Sequence, residues 1–259
     1  MPSARLLSLA LAGATSLALA TPAAAFASPA SHSTGHRPAV AHNVRPAQHH
    51  GKPADPLAGP RKGALHALAA STAAVQRIAA SEQASTTLGS ADKATLAAFD
   101  ASALTALAGD VTAAGSATTP QALAALIQAG NRTAQAVKLA GNVNSAAATD
   151  TAAITGLTGD VAALKAQEAS LPAGTDTSSV DTPLADLTTQ LSAVQAALST
   201  ASTAVLAVPA APSAADLRTA RDATGSALDS AETSLRSAAA DLAAAKAALA
   251  ALTPPAAGA

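Results

Sequence analysis

The clearest pattern along the chain is a pair of heptad series in its last third. From Pro183 onward, apolar residues recur at alternating spacings of three and four: Leu184, Leu187, Leu191, Val194, Leu198, Ala201, Val205 and Val208. In the second series leucine recurs every seven residues with alanine between: Leu228, Ala231, Leu235, Ala238, Leu242, Ala245 and Leu249. Each series places one apolar stripe along a helix. The short connection between them predicts antiparallel neighbouring helices.

The final helix is predicted to be longer than the helix before it. Ser213 and Asp216 have the spacing of a helix cap, so the helix is expected to run from Ser213 to Leu252. At 1.5 Å per residue it spans about 60 Å, against about 39 Å for residues 183–208. The longer helix therefore finds a second partner or projects beyond its neighbour, and a homo-oligomer formed through it is one such pairing.

Two further helices are predicted at the start of the helical region. The first is expected from Ala64 to Thr87, with an apolar face of Leu65, Leu68, Val75 and Ile78. Ser90 is interpreted as the cap of the second, which ends near Gly115 and carries Leu96, Phe99, Leu104, Leu107 and Val111. Asp92 lies in its first turn, where the helix dipole favours a carboxylate.

A third helical segment is predicted from Thr119-Pro120, a cap followed by proline at the first helical position, to about Leu171. Gly130 and Gly141 weaken the pattern, and the sequence leaves open whether this helix is continuous. Together these segments predict an all-α fold: an elongated antiparallel helical bundle or coiled coil of about five helices over residues 63–253. Residues 254–259 are expected to be a disordered C-terminus.

The N-terminus has the pattern of a secretory signal peptide over residues 1–27. Arg5 precedes a short apolar run from Leu6 to Ala20, and Ala25-Phe26-Ala27 forms an A-x-A cleavage site. The run is shorter than the roughly 20 residues that span a bilayer. We therefore expect a secreted, extracellular protein, associated with the cell wall and without a membrane segment after cleavage.

Residues 28–62 are predicted to form a disordered tail rich in proline and histidine. Five basic residues against Asp55 give the tail a formal charge of +4, whereas residues 63–259 carry nine basic and fifteen acidic residues, or −6. The tail is expected to bind an anionic cell-wall polymer. Its imidazoles suit Zn²⁺, Cu²⁺ or Ni²⁺, and they are His32, His36, His42, His49 and His50.

The composition favours a non-catalytic protein that uses no cofactor. The chain has no cysteine, and His66 is the single histidine after residue 62, so neither a thiol nor a histidine-based triad is expected. Nucleic-acid binding is not expected because the helical region is acidic and lacks Tyr and Trp. The predicted function is a structural or interaction protein of the cell envelope. The alternative is a metal-binding protein that uses the tail histidines.

Three segments carry a resemblance to a known group of proteins. They are TLGSADKATLAAFDASALTALAGDV (87–111), ATTPQALAALIQAG (117–130) and DLRTARDATGSALDSAETSLRSAAADLAAAKAAL (216–249). With the order of helices, they resemble uncharacterised secreted, alanine-rich helical proteins of high-GC actinobacteria, over about residues 64–252. Where that group has a tyrosine-rich segment, this chain reads NRTAQA and keeps only Arg132. The resemblance implies a helical exported protein and no specific activity.

Overall fold

A computed structural model describes residues 55–253, and all regular secondary structure in this range is α-helical. The five helices are α1 (Ala58–Ala84), α2 (Ser90–Ser116), α3 (Pro120–Glu168), α4 (Ser178–Leu206) and α5 (Ala214–Leu252). The predicted all-α class and the predicted number of helices are confirmed. The predictions for the signal peptide, for most of the tail and for residues 254–259 lie outside the described residues.

Helix α1 begins at Ala58, so the predicted start at Ala64 is too late. Asp55 stabilises the earlier start, because its carboxylate accepts hydrogen bonds from the Leu57 N–H at 2.9 Å and from Arg61 at 2.7 Å. Arg61 also donates to the Ala117 carbonyl, at 2.9 Å, at the end of α2. Arg61 and Lys62 therefore belong to the helical region and not to the tail.

The predicted caps of α3 and α5 are confirmed. Thr119 Oγ1 accepts the Ala122 N–H at 3.1 Å. Ser213 Oγ accepts the Asp216 N–H at 3.1 Å, while the Asp216 carboxylate accepts the Ser213 N–H at 2.8 Å. These bonds satisfy backbone donors that a helix start leaves unpaired.

The predicted cap of α2 is wrong. Gly89 precedes the helix with extended backbone geometry, and Ser90 is its first helical residue. The Gly89 N–H donates to the Asp92 carboxylate at 3.3 Å, so the acid in the first turn, and not a serine hydroxyl, closes this end.

Helix α4 begins at Ser178, one turn before the predicted start, and Pro183 lies inside it. Proline lacks the N–H that would bond one turn back, so a helix start at Pro183 was the simpler prediction. The extra turn is held by Val180, whose side chain is fully buried against α3 and α5. Asp181 adds a favourable charge in the first turn.

Helix α3 is continuous over 49 residues and contacts each of the other four helices. Its first half shares apolar clusters with α1 and α2, which contain Ala64, Leu68, Val75, Ala103, Leu107, Ala114, Leu123 and Val137. Its second half contributes Ile154 and Leu164 to a larger cluster with α4 and α5. Two groups of three helices therefore share α3.

The predicted apolar stripe of α4, which we call its seam, is confirmed, because all eight of its predicted apolar positions are buried. On α5, the alanines Ala231, Ala238 and Ala245 are fully buried, whereas Leu228 and Leu235 are half-buried at the side of the same cluster. Small residues at the centre of the contact let the two backbones approach. On α2 the prediction for Val111 is wrong: it is exposed, and Ala114 occupies the buried position instead.

Helix α5 finds its second partner in α3. Arg221 Nη2 donates to Gln135 Oε1 at 3.0 Å, and Lys246 Nζ donates to Asp160 Oδ2 at 3.0 Å. Both pairs are separated by 86 residues in sequence, so α3 and α5 run in the same direction in constant register. The extra length of α5 is thus covered within the same chain.

At Gly130, side chains of both α1 and α2 lie against the backbone of α3. A Cβ at this position would lie 2.6 Å from Leu68 Cδ2 and 3.2 Å from Leu107 Cδ2, and both leucine side chains are fully buried. Gly130→Ala should cost about 1–3 kcal/mol by overpacking, which outweighs the gain of about 1 kcal/mol in helix propensity. Urea denaturation of the variant should therefore show a lower midpoint.

Gly156→Ala is the matched control on the same helix, because nothing lies within 4 Å of its Cβ position. This variant should gain up to about 1 kcal/mol, since alanine is the better helix former. Equal stabilisation by the two substitutions would show that Gly130 is not a close contact.

Candidate functional site

Two carboxyl side chains lie inside the helical packing, at positions that continue the apolar seams of α1 and α2. The buried residues of α1 are Ala64, Leu68, Ser71, Val75 and Glu82. On α2, Asp100 lies between the buried residues Leu96 and Ala103. Glu82 is only 5% exposed and Asp100 only 3%. Acidic residues are rarely this buried unless they are paired.

The two carboxyl groups are within hydrogen-bonding reach of each other. In residues 55–253, none of their four oxygens accepts a hydrogen bond from another group. Two buried carboxylates this close do not both ionise, because each charge disfavours the other and burial disfavours both. We infer that at neutral pH the two carboxyl groups share one proton. In residues 55–253 this proton is the only hydrogen-bond donor available to them.

The protonation of each group follows from this geometry. Burial, together with the hydrogen bond to Asp100 and its charge, raises the pKa of Glu82 to about 8. Burial also raises the pKa of Asp100, although the hydrogen bond with Glu82 opposes that rise. The pair therefore changes its charge at mildly alkaline pH, far from the range of an exposed carboxyl group.

A shallow groove between α1 and α3 lies beside Glu82. Its lining includes Ile78, Ser81, Lys138, Gly141, Asn142 and Ser145. Gly141 has no side chain, and the Glu82 carboxyl therefore lies directly against the backbone of α3, at the edge of a groove that Lys138 also lines.

The central segment of α3, residues 130–144, also holds the connection between α4 and α5. Arg132 Nε donates to the Pro212 carbonyl at 2.8 Å, and Thr133 Oγ1 donates to the Ala210 carbonyl at 3.2 Å. Burial raises the pKa of Asp110 on α2, and the charge of Arg132 opposes that rise. Arg132 thus contacts the α4–α5 connection.

The predicted metal ligands His32, His36, His42, His49 and His50 lie outside the described residues. His66 is exposed on α1. Within residues 55–253, no three His, Asp or Glu side chains come close enough together to hold a metal ion. Metal binding by the tail therefore stays a prediction from the sequence.

On the surface of α5, Arg236 donates to Glu232 one turn away. Glu232 also acts across the helix interface. Its charge adds to burial in raising the pKa of Asp150 on α3. This second pair of acids is less buried than Glu82 and Asp100.

The faces predicted for α1 and α2 contain only apolar residues, so they do not include Glu82 and Asp100. The signal was present: counting by four and three from Ala64 through Leu68, Ser71, Val75 and Ile78 arrives at Glu82. The same count from Leu96 passes through Asp100 to Ala103. Extending the four-three spacing of each helix beyond its apolar residues therefore reaches both acids.

No protein-family model, no curated protein and no solved structure matches the chain. Among the helices of residues 55–253, no 18-residue stretch combines the hydropathy and the low charge of a membrane span.

Glu82→Gln should remove a pH dependence of stability. The folded pair keeps a proton that the unfolded chain releases above the ordinary glutamate pKa of 4.5, so the wild-type free energy of unfolding should fall as pH rises from 4.5 to about 8. The slope is at most about 1.4 kcal/mol per pH unit for one proton. In the variant, an amide N–H donates to Asp100 at every pH, so urea denaturation should give a nearly flat profile.

Glu168→Gln is the matched control, because it makes the same chemical change at the last residue of α3. It should keep the wild-type slope. If Glu82→Gln also keeps that slope, the two carboxyl groups do not share a proton.

Proposed function

We propose that this chain is a secreted, non-catalytic structural or interaction protein of the cell envelope, in which the helices form an elongated spacer. The proposal rests on the length of α3 and on the fact that two groups of helices pack on this one helix. One continuous helix of 49 residues, about 74 Å at 1.5 Å per residue, joins two groups of helices. A rigid element of this length separates what is bound at its two ends.

We also propose that the helices form an antiparallel bundle with coiled-coil-like packing. The end of α4 shares clusters with the start of α5, through Val205 with Ala227 and Val208 with Leu217. The start of α4 shares a cluster with the end of α5, through Val180 and Leu249. The seven-residue spacing of the buried positions supports knobs-into-holes contacts.

The distribution of buried ionisable groups supports a role without catalysis. Glu82 and Asp100 lie at seam positions, where they contact the neighbouring helices. A catalytic acid or base has to reach a substrate within hydrogen-bonding distance. Both carboxyl groups face packing interfaces instead, so we assign them to the architecture of the protein.

The proposed location rests on the sequence of the N-terminus. The signal-peptide pattern of residues 1–27 supports secretion, and the basic tail supports association with an anionic wall polymer. Because Arg61 and Lys62 lie in α1, the tail keeps Arg37, Arg45 and Lys52 against Asp55, a formal +2. Self-association through α5 also stays a proposal, although α3 already supplies the second partner that α5 needs.

A spacer requires α3 to be straight and continuous in solution. The chain has no cysteine, so Gln121→Cys and Gln167→Cys, both at exposed positions of α3, allow specific dye labelling of the full chain. The 46 residues between them predict a separation of about 69 Å. Single-molecule energy transfer should give one population near that distance.

The pair Gln121→Cys and Asn142→Cys serves as the control, with about 31 Å expected for 21 residues. A long-pair distance well below about 60 Å, with the short pair as expected, means that α3 bends or breaks and overturns the spacer.

Binding to the cell wall should be weak, electrostatic and stronger in acid. With a reference pKa of about 6.5, the five tail histidines gain most of their charge as pH falls from about 7.5 to 5.5. Sedimentation of the mature protein with purified cell walls should therefore increase over this range, and it should decrease with salt because charges screen over about 8 Å at physiological ionic strength.

The variant Arg37→Gln/Arg45→Gln/Lys52→Gln should bind less than wild type at pH 7.5. The matched control, Arg77→Gln/Lys165→Gln/Arg218→Gln, removes the same charge from exposed positions of the helices and should not weaken binding. Equal loss in the two variants, or binding that ignores salt and acid, argues against tethering by the tail.

A further inference from the structure

The α1–α2 hairpin packs mainly on α3. Helix α1 contacts α2 and α3, and the largest apolar cluster, formed by α3, α4 and α5, contains no residue of α1 or α2. Within residues 55–253, the hairpin shares a cluster with α4 and α5 only through Leu88, Leu96 and Phe99, at its α2 end. Elements with fewer buried apolar contacts open at lower free energy than the rest of a protein.

We propose that Glu82 and Asp100 form a proton-operated latch: their shared proton closes the α1–α2 hairpin onto α3, and its loss opens the hairpin while α4 and α5 stay packed. The geometry carries the proposal. The two buried carboxyl groups lie on different helices of the hairpin, and in residues 55–253 they accept no hydrogen bond from a third group. When both are ionised, repulsion acts directly across the α1–α2 contact.

The surroundings of the latch offer no alternative source of neutralising charge. On α3, Gly141 contacts Glu82 through its backbone, and Lys138 lines the outer groove. On α2, Lys93 Nζ instead donates to the Gln83 carbonyl at 3.0 Å. In the described part of the chain, neither Glu82 nor Asp100 forms an ion pair. The apolar cluster that adjoins the hairpin includes Ala201, Val205 and Ala227 of α4 and α5.

The turn between α1 and α2 keeps the tip of the hairpin closed while the contact at Glu82 and Asp100 opens. Ser85 Oγ accepts the N–H groups of Thr87 and Leu88 at 3.2 and 3.3 Å, so this turn is held by its own residues. Gln83 Nε2 donates to the Lys93 carbonyl at 3.1 Å and complements the bond from Lys93. These bonds hold the tip of the hairpin together and leave the contact at Glu82 and Asp100 as the part that responds to the proton.

Hydrogen exchange of the full chain, measured by mass spectrometry between pH 6 and 9 and corrected for intrinsic exchange, tests the latch. Peptides from residues 75–84 and 90–103 should lose protection by at least about tenfold over this range, because one proton is released on opening. Peptides from α4 and α5 should keep their protection. Equal loss of protection in all five helices, or no loss in the hairpin, overturns the proposal.

Two variants assign the effect to the pair. Glu82→Gln keeps a hydrogen-bond donor at every pH, so its hairpin should match wild type at pH 6 and stay protected at pH 9. Asp100→Asn should behave in the same way and provides the test should Glu82→Gln fail to fold. An alkaline loss of protection that persists in the folded variants overturns the latch.

A bound cation is the competing occupant of the pair. If Mg²⁺ or Ca²⁺ at millimolar concentration restores hairpin protection at pH 9 in wild type but not in Glu82→Gln, the carboxyl groups hold a metal ion and not a proton. We expect no such restoration, since two carboxylates supply fewer oxygens than either ion normally takes.

Discussion

Close approach of helix backbones is the constraint on which this fold depends. Twelve of the 33 buried apolar residues are alanine, and an alanine side chain provides little apolar surface unless the facing backbone lies near it. Fully buried Ala231, Ala238 and Ala245 meet this condition along α5, and Gly130 meets it on α3. Because dispersion contacts are lost over small gaps, a core of this kind depends on register more than a core rich in large side chains does.

The sequence predicted the structure correctly wherever the residue spacing within a single helix determines which positions are buried. Every seam position of α4 and the caps of α3 and α5 follow from spacing within one helix, and all were predictable. The start of α1 was not, because besides the local bonds of Asp55 it involves a contact from Arg61 to the distant Ala117 carbonyl. The role of α3 was also hidden. Its glycines weaken helix propensity locally, and only the positions of Leu68 and Leu107 explain why Gly130 lies there.

The contact between the two carboxyl groups could not be predicted from a single helix either. The four-three count places Glu82 and Asp100 on buried faces, but whether the two acids meet depends on the relative register of α1 and α2, which neither helix specifies by itself. A buried polar pair is a poor source of stability, because the desolvation of each group offsets the bond between them. Its better-attested role is to favour one register over alternatives, and alanine-rich seams offer many near-equivalent registers.

Buried polar side chains are concentrated on α1, α2 and the first half of α3. In residues 55–253 the six buried polar or charged residues are Ser71, Glu82, Asp100, Thr133, Asn144 and Thr224, and none lies in the segments 154–198 and 231–249 that form the largest apolar cluster. Asn144 shows what they do: its side chain bonds the Ala140 carbonyl and accepts the Ser202 hydroxyl at 2.7 Å, which links α3 to α4 at one position. At the far end of the bundle the buried side chains are apolar, and the Lys246–Asp160 ion pair lies on the surface. The end with α1 and α2 also buries polar side chains, among them Glu82 and Asp100, so it is the part whose packing responds to protonation.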